Sequence, residues 1–259
     1  ASPDRDEKRG YVIGVLGARG GLGASTLAAN LGAGLYARTH SNILVAEMLP
    51  GQGTLALDLG VTASEGLADL LSLPKSNEIT RERVQQALVE HPSQLKLLLS
   101  SNRPRDMHLI NQLDRYETIV KRLAGLSRFL ILDMGAGLQP FAERAVPLCD
   151  EIAIVIEGNP NTIIHTRALI VDLMALGIPN NCIHVVLNNR VRSDTQLPTS
   201  QVQAKLEHEI ITTLTPAPEL FTQATRLHTP AILCQPESLT SRQVMKLAEV
   251  ITERETQPR

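Results

Sequence analysis

One ten-residue stretch, Gly17-Ala-Arg-Gly-Gly-Leu-Gly-Ala-Ser-Thr26, constrains this chain more than any other. It follows an apolar run, Tyr11-Val-Ile-Gly-Val-Leu16, and opens a segment over 25–36 with Leu27, Leu31 and Leu35 at helical spacing. A buried strand that breaks into glycines and then starts a helix has few uses. The glycines let the chain turn so that successive backbone N–H groups point at one spot. The helix brings the positive end of its dipole to the same spot. Such a cradle holds an anion, a phosphate above all. The Ser25 hydroxyl is placed to hold Mg2+, and Thr26 to bond another phosphate.

The rest of the chain alternates apolar strands with amphipathic helices. Strands are predicted over 42–46, 95–99, 129–133, 152–156 and 183–187. Helices are predicted from Ser64, with Glu65 in the first turn, and over 80–89, 107–123, 161–176 and 241–253. Shorter units fall near 201–206, 210–214 and 219–227. This order implies an α/β fold: a doubly wound, mostly parallel sheet with helices on both faces. Residues 10–259 are expected to form a single domain. Residues 1–9 are charged and read as a tail or linker; because the chain starts at Ala1, it is expected to be processed or excised from something longer. Ligands of doubly wound folds bind beyond the carboxyl ends of the strands, so useful residues should follow Leu16, Ala46, Leu132 and Leu187.

Composition excludes several functions. With 259 residues, 43% of them hydrophobic, the core needs no disulfide or metal staple. Cys149, Cys182 and Cys234 have no paired spacing and read as buried thiols of a reducing compartment. Aromatics at 2% argue against a stacking platform for single-stranded nucleic acid, and a net charge of -2 argues against DNA as a partner. There is no signal peptide and no apolar run long enough to cross a membrane, so the expected location is the cytoplasm. The seven histidines form no metal-ligand pattern. Arg103, Arg105, Arg115, Lys121, Arg122 and Arg128 make a basic stretch. It reads as a solvated helix face, or as a contact for an acidic partner or for DNA.

Two further positions bear on the loop. Asp133 ends an apolar strand and is followed by Gly135 and Gly137. A carboxylate there can bind Mg2+ through water while the glycine backbone lies near the terminal phosphate. Ala24 stands where a phosphate loop normally has lysine, the group that stabilises charge on the transferring phosphate. The backbone cradle survives that loss; hydrolysis suffers.

The stretch Arg19-Gly-Gly-Leu-Gly-Ala-Ser-Thr26 resembles the deviant P-loop of the ParA/MinD superfamily, K-G-G-x-G-K-[ST]-T. Alanine in place of the loop lysine resembles the CpaE/TadZ branch, associated with assembly of Tad pili. Ser101-Asn-Arg-Pro-Arg-Asp106, Leu187-Asn-Asn-Arg190, Pro216-Ala-Pro-Glu219 and Gln235-Pro-Glu-Ser238 also look like that branch. The resemblance implies an ATP or ADP site with Mg2+. Arg19, Gly20, Gly21, Leu22, Gly23, Ala24, Ser25 and Thr26 would lie on the phosphates, with Ser25 and Asp133 on the metal. Arg19 holds the place of the signature lysine that reaches the partner subunit's phosphates. Asn188 would read the adenine edge, with Asn189 a near-equal candidate, and Pro216 lies in the loop that closes the base pocket. Relatives carry D-x-D-[PL] after the second strand; here Glu47 could serve the metal side, and Leu49 can neither orient nor deprotonate water. Ala24 and Leu49 together imply little or no ATPase activity. The implied partners are a second copy joined through ATP and a protein of a pilus or secretion machine, at a pole or beside a membrane. The last helix lacks the basic, bulky-apolar tail with which MinD lies on membranes, so direct insertion is not expected. Asp133-Met-Gly-Ala-Gly137 lacks the cysteines that the iron-protein relatives need for their cluster.

Overall fold

The computed structural model describes residues 9–62, 66–190 and 196–257. Its centre is an eight-stranded sheet: β1 (Tyr11–Gly17), β2 (Ile43–Glu47), β3 (Leu88–Glu90), β4 (Leu95–Leu98), β5 (Phe129–Ala136), β6 (Glu151–Ile156), β7 (Ile183–Asn188) and β8 (Ile210–Leu214). The spatial order is β3-β4-β2-β5-β1-β6-β7-β8. Every adjacent pair is parallel except β3 with β4. The strands β1, β2 and β6 are buried along their whole length because helices cover both faces. The doubly wound α/β expectation is therefore met.

The helices are α1 (Ala24–Thr39), α2 (Leu55–Asp58), α3 (Leu67–Ser72), α4 (Arg81–Gln86), α5 (Leu113–Ala124), α6 (Ala142–Ala145), α7 (Pro160–Ala175), α8 (Thr199–Leu206), α9 (Pro218–Arg226), α10 (Ala231–Cys234) and α11 (Leu239–Glu255). One core layer joins the sheet to α3, α4, α5, α7 and α8 through residues such as Leu71, Val84, Tyr116, Ile119, Leu173 and Val202. The other joins it to α1 and α11 through Leu27, Leu31, Leu35, Val244, Leu247 and Ile251. α1 lies close on its neighbours because small residues permit it. A Cβ on Gly32 would stand 2.8 Å from Val45 Cγ2, and one on Gly34 3.2 Å from Met245 Sδ.

Several expectations are revised. The helix expected over 80–89 stops at Gln86, and Leu88–Glu90 turns into an antiparallel edge strand. The helix expected over 107–123 is two pieces, a 3-10 turn over Pro104–Asn111 and then α5. The unit near 210–214 is the last strand of the sheet. The expected helix start at Ser64 and Glu65 lies outside the described residues, as does most of the expected tail; helix is described from Leu67. Of the three cysteines expected to be buried, only Cys149 is; Cys182 and Cys234 are partly exposed, and all three are free thiols.

Register positions the site. Asp133 on β5 stands opposite Val15 of β1 on one side and Glu47 of β2 on the other. The pairing of β1 with β5 shifts register between Val15 and Gly17, and β1 ends at Gly17. The connection from β5 to β6 passes from one side of β1 to the other. The carboxyl end of β1 is thus the point where strand order reverses, the usual place for a ligand in an open α/β sheet.

Candidate functional site: a glycine cradle with two cavities

The loop beyond β1 has the geometry that its glycines imply. Gly21 and Gly23 have φ of +75° and +96°, in the left-handed region where a side chain costs about 1–2 kcal/mol. A Cβ on Gly20 or Gly21 would meet nothing within 4 Å, so both face open space. α1 begins at Ala24 with Gly23 as its N-cap. No side chain caps it, and its first turn carries no acidic residue. Asn159, Thr80 and Ser238 do cap α7, α4 and α11. The first N–H groups of α1 are thus left for an anion.

A cavity of about 340 Å³ brings together most of the predicted phosphate and metal residues. Residues 19–26 line it, with Glu47, Leu49, Asp133 and Gly135. Asp133 is buried, accepts a hydrogen bond from Gly135 N–H at 3.2 Å, and is hydrogen-bonded to Ser25. Burial pushes its carboxyl up, against the lowering effect of those two bonds. A buried carboxylate held beside a serine hydroxyl at a helix N-terminus fits a Mg2+ ion bound through water, since the cation would repay the desolvation. Arg19 is exposed at the rim, and among the described residues its side chain has no ion-pair partner. Ala24 is 7% exposed and brings no charge to the loop.

Glu47, read as able to serve the metal side, lines this cavity with its carboxylate also bonded to backbone. Its Oε1 accepts from the N–H groups of Thr54 and Leu55 at 2.7 and 2.9 Å, and Oε2 accepts from Ser100 N–H at 2.8 Å. Both oxygens are thus committed to backbone around the start of α2. Burial raises its pKa, the three N–H bonds oppose this, and the charge of Asp133 adds to it. Leu49 lies directly against Gly135, whose φ is +72°. An apolar side chain therefore forms the wall where relatives carry a water-orienting carboxylate.

A second cavity, of about 220 Å³, adjoins the first at Gly23 and Thr26. Asn188 and Pro216 line it as the resemblance implies, with Leu27, Leu214 and Phe221 supplying apolar wall. Asn188 donates from Nδ2 to Leu22 O at 2.8 Å, and among the described residues nothing donates to its Oδ1. Asn189 instead extends the strand pairing, donating its N–H to Leu214 O at 3.0 Å. Phe221 and Arg190 were not singled out from the sequence as site residues. Phe221 sits on α9 with only helical periodicity to mark it. Arg190 donates from Nη1 to Gly21 O at 2.7 Å and from Nε to Glu157 Oε1 at 2.7 Å.

Elsewhere, the basic stretch is largely used up locally. Arg115 donates to the carbonyls of Leu71 and Pro74, Lys121 pairs with Glu117, and Arg128 with Glu255. Among the described residues, no cluster of His, Cys, Asp and Glu could hold a metal ion, and no helix is long and apolar enough to cross a membrane.

A mostly parallel sheet of this order, with the glycine loop at the end of β1 and Asp133 inside β5, which runs on to Ala136 past the strand end expected at Asp133, has the ParA/MinD type of P-loop fold. Solved structures agree. A ParA family ATPase from Chlorobium tepidum TLS superposes with a TM-score of 0.81 at 19% identity, covering 93% of this chain and 98% of that one. The cell division ATPase MinD of Pyrococcus furiosus gives 0.80 at 24% identity, over 95% and 99%. The septum site-determining protein MinD of Pyrococcus horikoshii, solved with Mg-ADP, gives 0.80 at 22% identity, over 95% and 97%. No curated protein matches by sequence. A family model does: residues 11–251 match cellulose biosynthesis protein BcsQ, and the chain belongs to that family.

Proposed function

We propose that residues 10–259 act as one ATP-responsive domain that binds Mg-ATP, dimerises through it, hydrolyses it very slowly or not at all, and helps to assemble a cytoplasmic-side secretion machine. The observation that carries this reading is the 340 Å³ cavity, where an uncapped helix N-terminus, Ser25 and buried Asp133 meet beside Ala24 and Leu49. The first three suit a magnesium nucleotide. The last two lack the functions that transfer its phosphate, and each such loss costs several kcal/mol of transition-state stabilisation. The apolar cavity with Asn188 Oδ1 open fits a base whose edge donates a hydrogen bond, as the adenine amino group does.

The client machine has two readings. Ala24 and the segments shared with CpaE/TadZ favour a Tad-type pilus. The family's own description favours a cellulose-producing machine instead. Deleting the gene and scoring pili against cellulose separates them.

Calorimetry with Mg-ATP tests the site itself. Native protein should bind, and Gly21→Val should not, because a branched side chain at φ +75° would strain the loop and fill the space a phosphate needs. Unchanged affinity in that variant counts decisively against the site. Steady-state phosphate release should stay far below ~1 per second. Ala24→Lys should tighten binding without restoring turnover, because Leu49 remains. Turnover near ~1 per second in the native protein refutes the degenerate reading.

A further inference from the structure

The loop has lost its lysine, yet its glycines still need to be held in shape. Two carbonyls in it are held from outside. Gly21 O accepts from Arg190 Nη1 at 2.7 Å, and Leu22 O accepts from Asn188 Nδ2 at 2.8 Å. Arg190 is itself fixed by Glu157, whose Oε1 lies 2.7 Å from Nε and 2.6 Å from Nη2. Glu157 is 8% exposed and follows β6; Arg190 lies two residues beyond β7.

A trans peptide is planar, so the carbonyl of one residue and the N–H of the next point in opposite directions. Drawing the Gly21 carbonyl toward Arg190 therefore turns the Leu22 N–H away from it. Holding the Leu22 carbonyl at Asn188 turns the Gly23 N–H the same way. Arg190 and Asn188 line the base-side cavity, and residues 21–23 also line the phosphate-side cavity. Both amides are thereby aimed from the first toward the second, where a phosphate would sit.

We infer that Arg190, held by Glu157, is a positioning residue that braces the phosphate loop in its anion-binding shape, a task for which Ala24 has no side chain. The charge of Arg190 is neutralised by Glu157, so it acts on the loop's geometry and not as a free cation for the nucleotide. The inference rests on the nucleotide reading above for its consequence, though not for the brace. Arginine suits the role because its planar fork bonds the carboxylate through Nε and Nη2 while Nη1 reaches the carbonyl. Lysine has one nitrogen and cannot reproduce that arrangement.

Two measurements test it. Calorimetry with Mg-ATP is run on the native protein, Arg190→Ala, Arg190→Lys, Ala24→Lys and the double variant Arg190→Ala/Ala24→Lys. Arg190→Ala should weaken binding about tenfold or more, and Arg190→Lys should recover only part of it. A lysine at position 24 can brace the loop from within. Ala24→Lys should therefore tighten binding more in the Arg190→Ala background than in the native one. Equal gains in both backgrounds, or native affinity in Arg190→Ala, overturn the brace. The second measurement needs no nucleotide: the rate of trypsin cleavage after Arg19 should rise in Arg190→Ala while the unfolding midpoint stays near native. An unchanged rate overturns the brace directly. If native protein and every variant bind no Mg-ATP, the nucleotide reading fails, and the trypsin rate alone decides the brace.

Discussion

Asp133 is the residue whose environment most clearly separates folding from function. Burial raises its pKa in the folded chain above the ordinary carboxylate value of 3.8. The folded state then binds more protons than the unfolded state from that value up to the raised one, so stability falls as pH rises through this window. Above that window burial of Asp133 lowers the stability of the folded chain, a cost that a cation in the cavity would offset. Asp133→Asn keeps the shape and removes the charge. It should raise the unfolding midpoint of the metal-free protein at neutral pH, and the gain should shrink in acid. The same variant should lose the Mg2+ dependence of ATP affinity by about tenfold or more. A lower midpoint at neutral pH, or intact Mg2+ dependence, would show that Asp133 is only a structural group. The sequence made the loop and Asp133 legible because both follow apolar runs and break the pattern. It could not reveal that Glu47 spends its oxygens on Thr54, Leu55 and Ser100. Nor could it reveal that Arg190 meets a glutamate and a glycine distant in the chain. Those partners are chosen by three-dimensional packing, which has no period.

Among the elements, α11 is tied to the sheet at the end opposite the loop. Glu151, fully buried at the start of β6, lies 3.1 Å from His184 Nε2 on β7 and 3.3 Å from Arg254 Nη1 near the end of α11. The Arg254 side chain is 30% exposed. Removing the cation from a buried carboxylate is worse than removing both, even with Tyr11 and His184 still beside Glu151. Arg254→Met should therefore cost about 3 kcal/mol in denaturant unfolding, the lower end of the range because Arg254 is part exposed. Adding Glu151→Gln should recover most of that loss. A single variant as stable as the native protein would mean that α11 is held by its apolar face alone. That apolar face, with Val244, Leu247 and Ile251, was plain from helical spacing, as were the long strands. The three-residue edge strand Leu88–Glu90 was not. It continues the apolar spacing of α4 and is extended only because β4 offers it an antiparallel partner. Local propensity yields there to pairing across the sheet.

At the scale of the whole molecule, the open question is what completes the phosphate cavity. Among the described residues, its cations within one chain are few. Ala24 has none, and Arg190 is spent on Glu157. Arg19 lines the cavity rim, exposed and without an ion-pair partner among the described residues. An arginine in that position can bond two phosphate oxygens through its planar fork and stays charged at any working pH. The resemblance implies that the residue at this position crosses to the neighbour's nucleotide, so on the proposed function two chains would each complete the other's site. Bound ATP and the dimer must then stabilise one another, since linkage is reciprocal. On the proposed function, in which Ala24 and Leu49 slow hydrolysis, such a dimer would persist, which suits a fixed assembly platform better than an oscillator. Solution mass should rise toward the dimer when Mg-ATP is added to the native protein, and Arg19→Ala should lose that response while remaining folded. ADP should support the dimer less well than ATP, because it lacks the terminal phosphate that a crossing guanidinium would bond. A dimer indifferent to nucleotide and to Arg19 would place the contact on another surface and leave the loop with no part in assembly.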